Sequence, residues 1–136
     1  SVAKLKAFNP DYSKNSIHCY IADSDVAEMA EKDGTTRALA SLKKAEKILD
    51  GAIAMIGNAP LALAGIAKLH FEKGIMPALV IGMPVGFVNV VESKILLSKT
   101  EIPYIMIEGR RGGSTLAVAT LHAILENINH KDILRR

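Results

Sequence analysis

Near the end of the chain, two arginines stand against two glycines and a serine in "EGRRGGS", residues 108–114. Arg110 and Arg111 carry fixed charge in a planar fork that suits carboxylates and phosphates. Gly112 and Gly113 let backbone N–H groups approach a ligand closely. Ser114 sits at the predicted N-cap of an apolar run at helical spacing, "STLAVATLHAIL", and the positive end of a helix attracts anions. Together these residue types predict a loop that holds a carboxylate or a phosphate. Adjacent side chains in an extended turn point apart, so one arginine is expected to reach the ligand. Arg110 is favoured, because Gly112 leaves Arg111 free to turn to solvent.

Two other loops carry compatible chemistry. "GNAPLA" (57–62) offers Asn58, a donor and an acceptor at once. "GMPVGFVN" (82–89) offers an apolar stretch in Pro84, Val85, Gly86, Phe87 and Val88. Arg37 falls in the first turn of a predicted helix, where a cation opposes the dipole. A structural role does not account for it there, and it is read as a ligand contact. Lys94 adds a further cation beyond the second loop, with a solvated-face reading equally open. Phe87 reads as core or as site wall, and Glu92 as a partner for a loop backbone. Gly after a strand is ordinary punctuation, and each loop alone reads as a turn. Three in succession, all polar or rich in Gly and Pro, point to a site.

Several chemistries drop out. G-x-x-x-x-G-K-[ST], G-x-G-x-x-G and H-E-x-x-H are all absent. Cys19 is the only cysteine and reads as an inert buried residue. No protein-bound catalytic metal is therefore expected. A formal net charge of +3 is too mild for a nucleic-acid binder. No apolar run reaches the roughly 18 residues of a membrane span. A lone cysteine suits a reducing, cytoplasmic setting.

The elements that must position these loops alternate. "SIHCYIA" (16–22) is predicted as a strand, 24–34 as a short helix, and 35–51 as a longer helix capped by Thr35 or Thr36. Strands are predicted at 52–57, 77–82 and 103–109, each mostly apolar and ending in Gly. Helices follow them, over 61–73, across "VNVVESKILLSK" and from Ser114 onward, with "NHKDILRR" as a polar tail. Continuous apolar strands alternating with helices predict an α/β fold whose mainly parallel sheet is covered on both faces. Right-handed crossovers place all strand C-termini on one edge, where open α/β sheets bind ligands. The 136 residues fit one domain. With three Phe, three Tyr and no Trp, its core must be aliphatic.

"GNAP", "IGMPVGFVNVVESK" and "GRRGGSTLA", in that order, together with "TTRALA" at 35–40, resemble the precorrin-8X (cobalt-precorrin-8) methylmutase family over essentially the whole chain. The resemblance implies a three-layer α/β/α sandwich, a homodimer, and a methyl shift from C11 to C12 of a tetrapyrrole in cobalamin biosynthesis, with no external cofactor. Such a macrocycle bears many carboxylate arms. Arg37, Lys94, Arg110 and Arg111 would supply charge to it, and Asn58, Gly112, Gly113 and Ser114 hydrogen bonds. Pro84, Val85, Gly86 and Phe87 would form the wall.

Two features depart from the family. Its acidic His lies in an Arg-rich N-terminal segment, and none of His18, His70, His122 and His130 sits in that motif. This chain is accordingly expected to lack an N-terminal portion, and the catalytic acid stays unassigned. Leu61 stands where the family carries Thr after "GNAP". Two alternatives remain open: a non-catalytic tetrapyrrole-binding relative, and a phosphate- or nucleotide-binding α/β enzyme. The apolar "PVGFV" loop argues against the second.

Overall fold

A computed structural model describes residues 16–134, with side chains through residue 128. The elements run α1 (Ser24–Lys32), α2 (Arg37–Leu49), β1 (Ile53–Ile56), α3 (Pro60–Lys73), β2 (Leu79–Gly82), α4 (Val90–Ser98), β3 (Tyr104–Met106) and α5 (Ser114–Leu134). The Thr36 hydroxyl caps α2 by accepting from the Leu39 N–H at 3.3 Å, taking up one of the orphan donors of the first turn. Gly74, at φ 68°, closes α3 in the left-handed conformation that glycine adopts without steric cost.

The three strands pair in parallel in the order β1-β2-β3, with Ala54 opposite Val80 and Ile81 opposite Ile105. Alternate strand residues face opposite ways, and the core divides accordingly. Ala54 and Val80 pack with Leu63 and Ile66 of α3, Leu97 of α4 and Ile102. Ile81 packs on the other face with Met83 and with Ala117 of α5. Helices on both faces give the α/β/α layering. A smaller cluster of Val26, Ala30 and Ala40 joins α1 to α2.

Helix α2 lies beside α3. A Cβ on Gly65 would come within 2.5 Å of Leu42 and 3.2 Å of Leu39, and Glu46 pairs with Lys73 farther along both helices. Residues 39–42 are thus level with residue 65, and residue 46 with residue 73. The two helices run in the same direction. Since α3 starts at the C-terminal end of β1, the start of α2 lies at that end of the sheet too.

Some expectations need correction. Residues 16–22 form no strand. Ile17 and Ile21 are exposed, and no strand among the described residues pairs with them, so β-propensity has no ladder there to act on. The sheet therefore has three strands among the described residues. Cys19, in the same stretch, is exposed rather than buried. The third strand ends at Met106 rather than at residue 109, because the Ile107 and Gly109 carbonyls are drawn onto Lys94. Ser114 is the first residue of α5 rather than its cap. The predicted tail at 129–136 carries α5 on to Leu134, and residues 135–136 lie outside the described residues.

Candidate functional site

The loops after β1, β2 and β3 meet at the C-terminal edge of the sheet. The Met83 N–H donates to the Ile56 carbonyl at 2.8 Å, and the Gly113 N–H to the Met83 carbonyl at 2.7 Å. The Gly86 N–H donates to the Arg110 carbonyl at 3.2 Å. The segment after β3 crosses over the end of β2 and reaches the first loop: a Cβ on Gly57 would stand 2.7 Å from the Ser114 Cα. A Cβ on Gly112 would overlap the Met83 carbonyl oxygen and lie 2.6 Å from that of Pro84. Glycine at 57 and 112 is what lets these backbones touch.

One side of this edge is apolar and open. Phe87 is 81% exposed, Val88 75% and Val85 43%. Phe87 is therefore surface and not core. Pro84 beneath it is fully buried. Gly86, at φ 127°, turns the chain between them. The Arg110 guanidinium carbon stands 5.2 Å from the centre of the Phe87 ring, within reach of a cation–π contact. The result is a cationic and apolar surface shared by two loops.

Arg111 is exposed, as are Asn58 and Ser114. Arg37 is exposed at the first position of α2, at the same end of the sheet. No ion pair holds Arg37, Arg110 or Arg111 among the described residues. Three guanidinium groups on one edge, with no carboxylate partner among the described residues, favour an anionic ligand. Leu61 is half-buried in the first turn of α3, and Glu92 is exposed on α4.

Lys94 behaves differently from the other cations and corrects the expectation for it. It is 3% exposed, and its Nζ donates to the carbonyls of Ile107 at 2.6 Å, Gly109 at 2.8 Å and Arg111 at 2.7 Å. An ammonium has three N–H groups, and all three are engaged. Lys94 thus holds the third loop from beneath and has no donor left for a ligand. Burial pushes its pKa down from the ordinary lysine value.

No histidine with a described side chain lies in the three loops. His18 is exposed ahead of α1 and within 3.0 Å of the Ser16 hydroxyl. His70 Nδ1 is 3.1 Å from the Ile75 carbonyl oxygen at the end of α3. His122 is half-buried within α5, and the side chain of His130 lies outside the described residues. Sequence reasoning passed over Gly57 and Gly109, which shape the site through their backbone. The available signal was their place at the ends of the predicted strands.

Comparison with known proteins fits this geometry. A family model described as precorrin-8X methylmutase matches residues 5–127. A cobalt-precorrin-8 methylmutase of Leptospira interrogans is 47% identical over 132 residues, covering 89% of this chain and 60% of the relative. One from Priestia megaterium is 53% identical over 108 residues, covering 79% of this chain and 48% of the relative. The chain therefore spans about half to three-fifths of the length of these relatives. A solved precorrin-8x methyl mutase from Thermus thermophilus superposes with a TM-score of 0.78 at 41% identity, over 93% of this chain and 62% of that one.

Proposed function

The chain belongs to the precorrin-8X methylmutase family, and on that premise we propose that it forms the macrocycle-binding part of an isomerase. The reaction moves a methyl group from C11 to C12 of a precorrin-8 or cobalt-precorrin-8 tetrapyrrole in cobalamin biosynthesis. One carbon–carbon bond breaks, a neighbouring one forms, and the double bonds shift along the ring. The elemental composition is unchanged, so no co-substrate is consumed.

One observation carries this reading: Arg110 stacked on an exposed Phe87, where three strand-end loops converge. A tetrapyrrole is broad, apolar across its faces and anionic around its rim. Phe87, Val88 and Val85 would lie against a ring face. Arg110 would take a rim carboxylate in bidentate fashion, with Arg111, Asn58, Gly112, Gly113 and Ser114 around it. Arg37 would hold a second carboxylate from the start of α2. Held flat against such a surface, the ring is presented in the geometry the migrating methyl needs, and binding energy is realised where the bond shifts. Protonating the ring, or holding its reactive tautomer, is general-acid work.

The proposed assembly is a homodimer with two-fold symmetry, in the cytoplasm. A single cysteine fits a reducing compartment. Among the described residues no helix is long and apolar enough to cross a membrane.

The test is incubation of the complete protein with precorrin-8 and, separately, with its cobalt complex, following visible absorption over time. Binding followed by conversion to an isomer of equal mass supports an isomerase, and the arm that converts identifies the substrate. A spectral shift on binding without any product would mean a tetrapyrrole carrier. Tight nucleotide binding by calorimetry with no tetrapyrrole response would overturn the reading. Light scattering at micromolar concentration checks the dimer.

A further inference from the structure

The Lys94 ammonium is buried under the very loop that carries Arg110, and it does more there than fill space. Its three acceptors are alternate carbonyls, those of Ile107, Gly109 and Arg111. A trans peptide points its C=O and the following N–H in opposite directions. When the Gly109 and Arg111 carbonyls turn down onto Nζ, the N–H groups of Arg110 and Gly112 must turn up, away from the interior. No backbone bond takes up either N–H among the described residues. Gly109, at φ 76° with open space where a Cβ would stand, makes the reversal feasible. The Arg110 carbonyl, between the two clamped ones, points elsewhere and accepts from the Gly86 N–H. This fastens the loop to the one bearing Phe87.

We propose that Lys94 is a positioning residue, whose clamp on three carbonyls turns the Arg110 side chain and the Arg110 and Gly112 amides toward one carboxylate of the ligand. This rests on the function proposed above and adds to it a residue that never touches the ligand. A neutral, unbranched side chain such as Met fills most of the space but leaves three carbonyls without a donor. The loop then relaxes, and Arg110 loses its aim while still present. Burial weakens the hold of Lys94 on its proton, yet three short bonds to carbonyl oxygens favour the charged form that the clamp needs.

The experiment is a double-mutant cycle in the complete protein, with the tetrapyrrole that the parent converts. Lys94→Met, Lys94→Arg, Arg110→Ala and the Lys94→Met/Arg110→Ala pair are compared by KM and kcat. The expected result for Lys94→Met is a KM raised about as far as by Arg110→Ala, about ten- to a hundredfold, with kcat nearly unchanged, the signature of lost binding rather than lost chemistry. Arg110→Ala should then add almost nothing on the Lys94→Met background, because the two losses are one loss. Lys94→Arg, which keeps a cation with several donors, should recover part of it. A folded Lys94→Met with the parent's KM, or fully additive losses, would overturn the proposal. Should Lys94→Met fail to fold, the parent decides: with 15N-labelled lysine, a slowly exchanging Lys94 ammonium resonance should move when the tetrapyrrole is added. An unmoved resonance would overturn the proposal. A parent that neither binds nor converts the macrocycle overturns both this inference and the function beneath it. An active parent with an indifferent Lys94 overturns this one alone.

Discussion

Arg110 and Phe87 come from loops after different strands, and the guanidinium carbon of one stands 5.2 Å from the ring centre of the other. At an exposed site such a contact contributes only about 0.5–1 kcal/mol, too little to explain why a ring 81% exposed to water is kept there. A ligand that covers both residues, as proposed, would explain it. Arg110→Ala should therefore weaken tetrapyrrole binding by about 1.5–3 kcal/mol, the range for a charge-assisted hydrogen bond. Arg111→Ala should leave binding nearly unchanged. Phe87→Ala should weaken binding by an amount that persists at high salt, whereas part of the Arg110 effect should fade as salt screens it. Fluorescence or absorption titrations at two salt concentrations check all three. Equal affinities throughout would reduce the loop to a turn with surface charges.

Arg37 is the more distant cation. The parallel packing of α2 on α3 puts it at the loop edge, and it is exposed. Arg37→Ala should weaken binding by about 1.5–3 kcal/mol and leave the melting temperature at or slightly above the parent's, since a cation is removed from a helix start. Titration and thermal melting of the same sample separate the two effects. A fall in stability with unchanged affinity would move Arg37 out of the site.

The loops were legible because glycine, with proline in two of the three, punctuates the chain at or shortly after each strand, and the parallel sheet because the strands are continuously apolar. Residues 16–22 misled because β-branched residues look the same with or without a partner strand. The destination of Lys94 was hidden for a different reason. Its acceptors are backbone carbonyls 13 to 17 positions away, and every residue has a carbonyl, so no side-chain pattern marks them. Gly57 and Gly112 were visible as glycines, but the need for them arises from backbones that meet only in three dimensions.

That need has a measurable cost. Gly112→Ala would drive a Cβ against the Met83 and Pro84 carbonyls, which are backbone and cannot swing aside, and should destabilise by about 1–3 kcal/mol. Gly109→Ala meets nothing but must hold a φ of 76°, at about 1–2 kcal/mol. Asparagine tells the two apart. Gly109→Asn should recover part of the loss, because Asn tolerates the left-handed region, while Gly112→Asn should be no better than Gly112→Ala. Urea unfolding of the four variants makes the comparison, and recovery at 112 would contradict the steric account.

Away from the site, Lys44 ties α2 to the start of α1, with Nζ 2.7 Å from carboxylate oxygens of both Asp23 and Asp25. The bond from Lys44 holds the Asp25 pKa below the ordinary 3.8. The bonds to Asp23 and then Asp25 raise Lys44 above 10.5. A depressed carboxylate stabilises the fold above its unfolded pKa and loses that contribution as pH falls through the folded value. A raised amine stabilises below its unfolded pKa and loses it as pH rises through the folded value. Lys44→Met should therefore flatten both the acid and the alkaline limbs of a melting temperature profile. Parallel profiles for parent and variant would show that these exposed pairs contribute nothing measurable, as many surface pairs do not.

On the proposed function, this sheet edge holds a tetrapyrrole while a methyl group migrates on it. The most direct measurement is 13C NMR of the complete protein incubated with a precorrin-8 substrate labelled at the C11 methyl. The labelled methyl signal is expected to disappear from C11 and reappear at C12 without change in mass. Arg110→Ala should slow this at limiting substrate and much less at saturation. A label that stays on C11 while the macrocycle is demonstrably bound would contradict the proposed function.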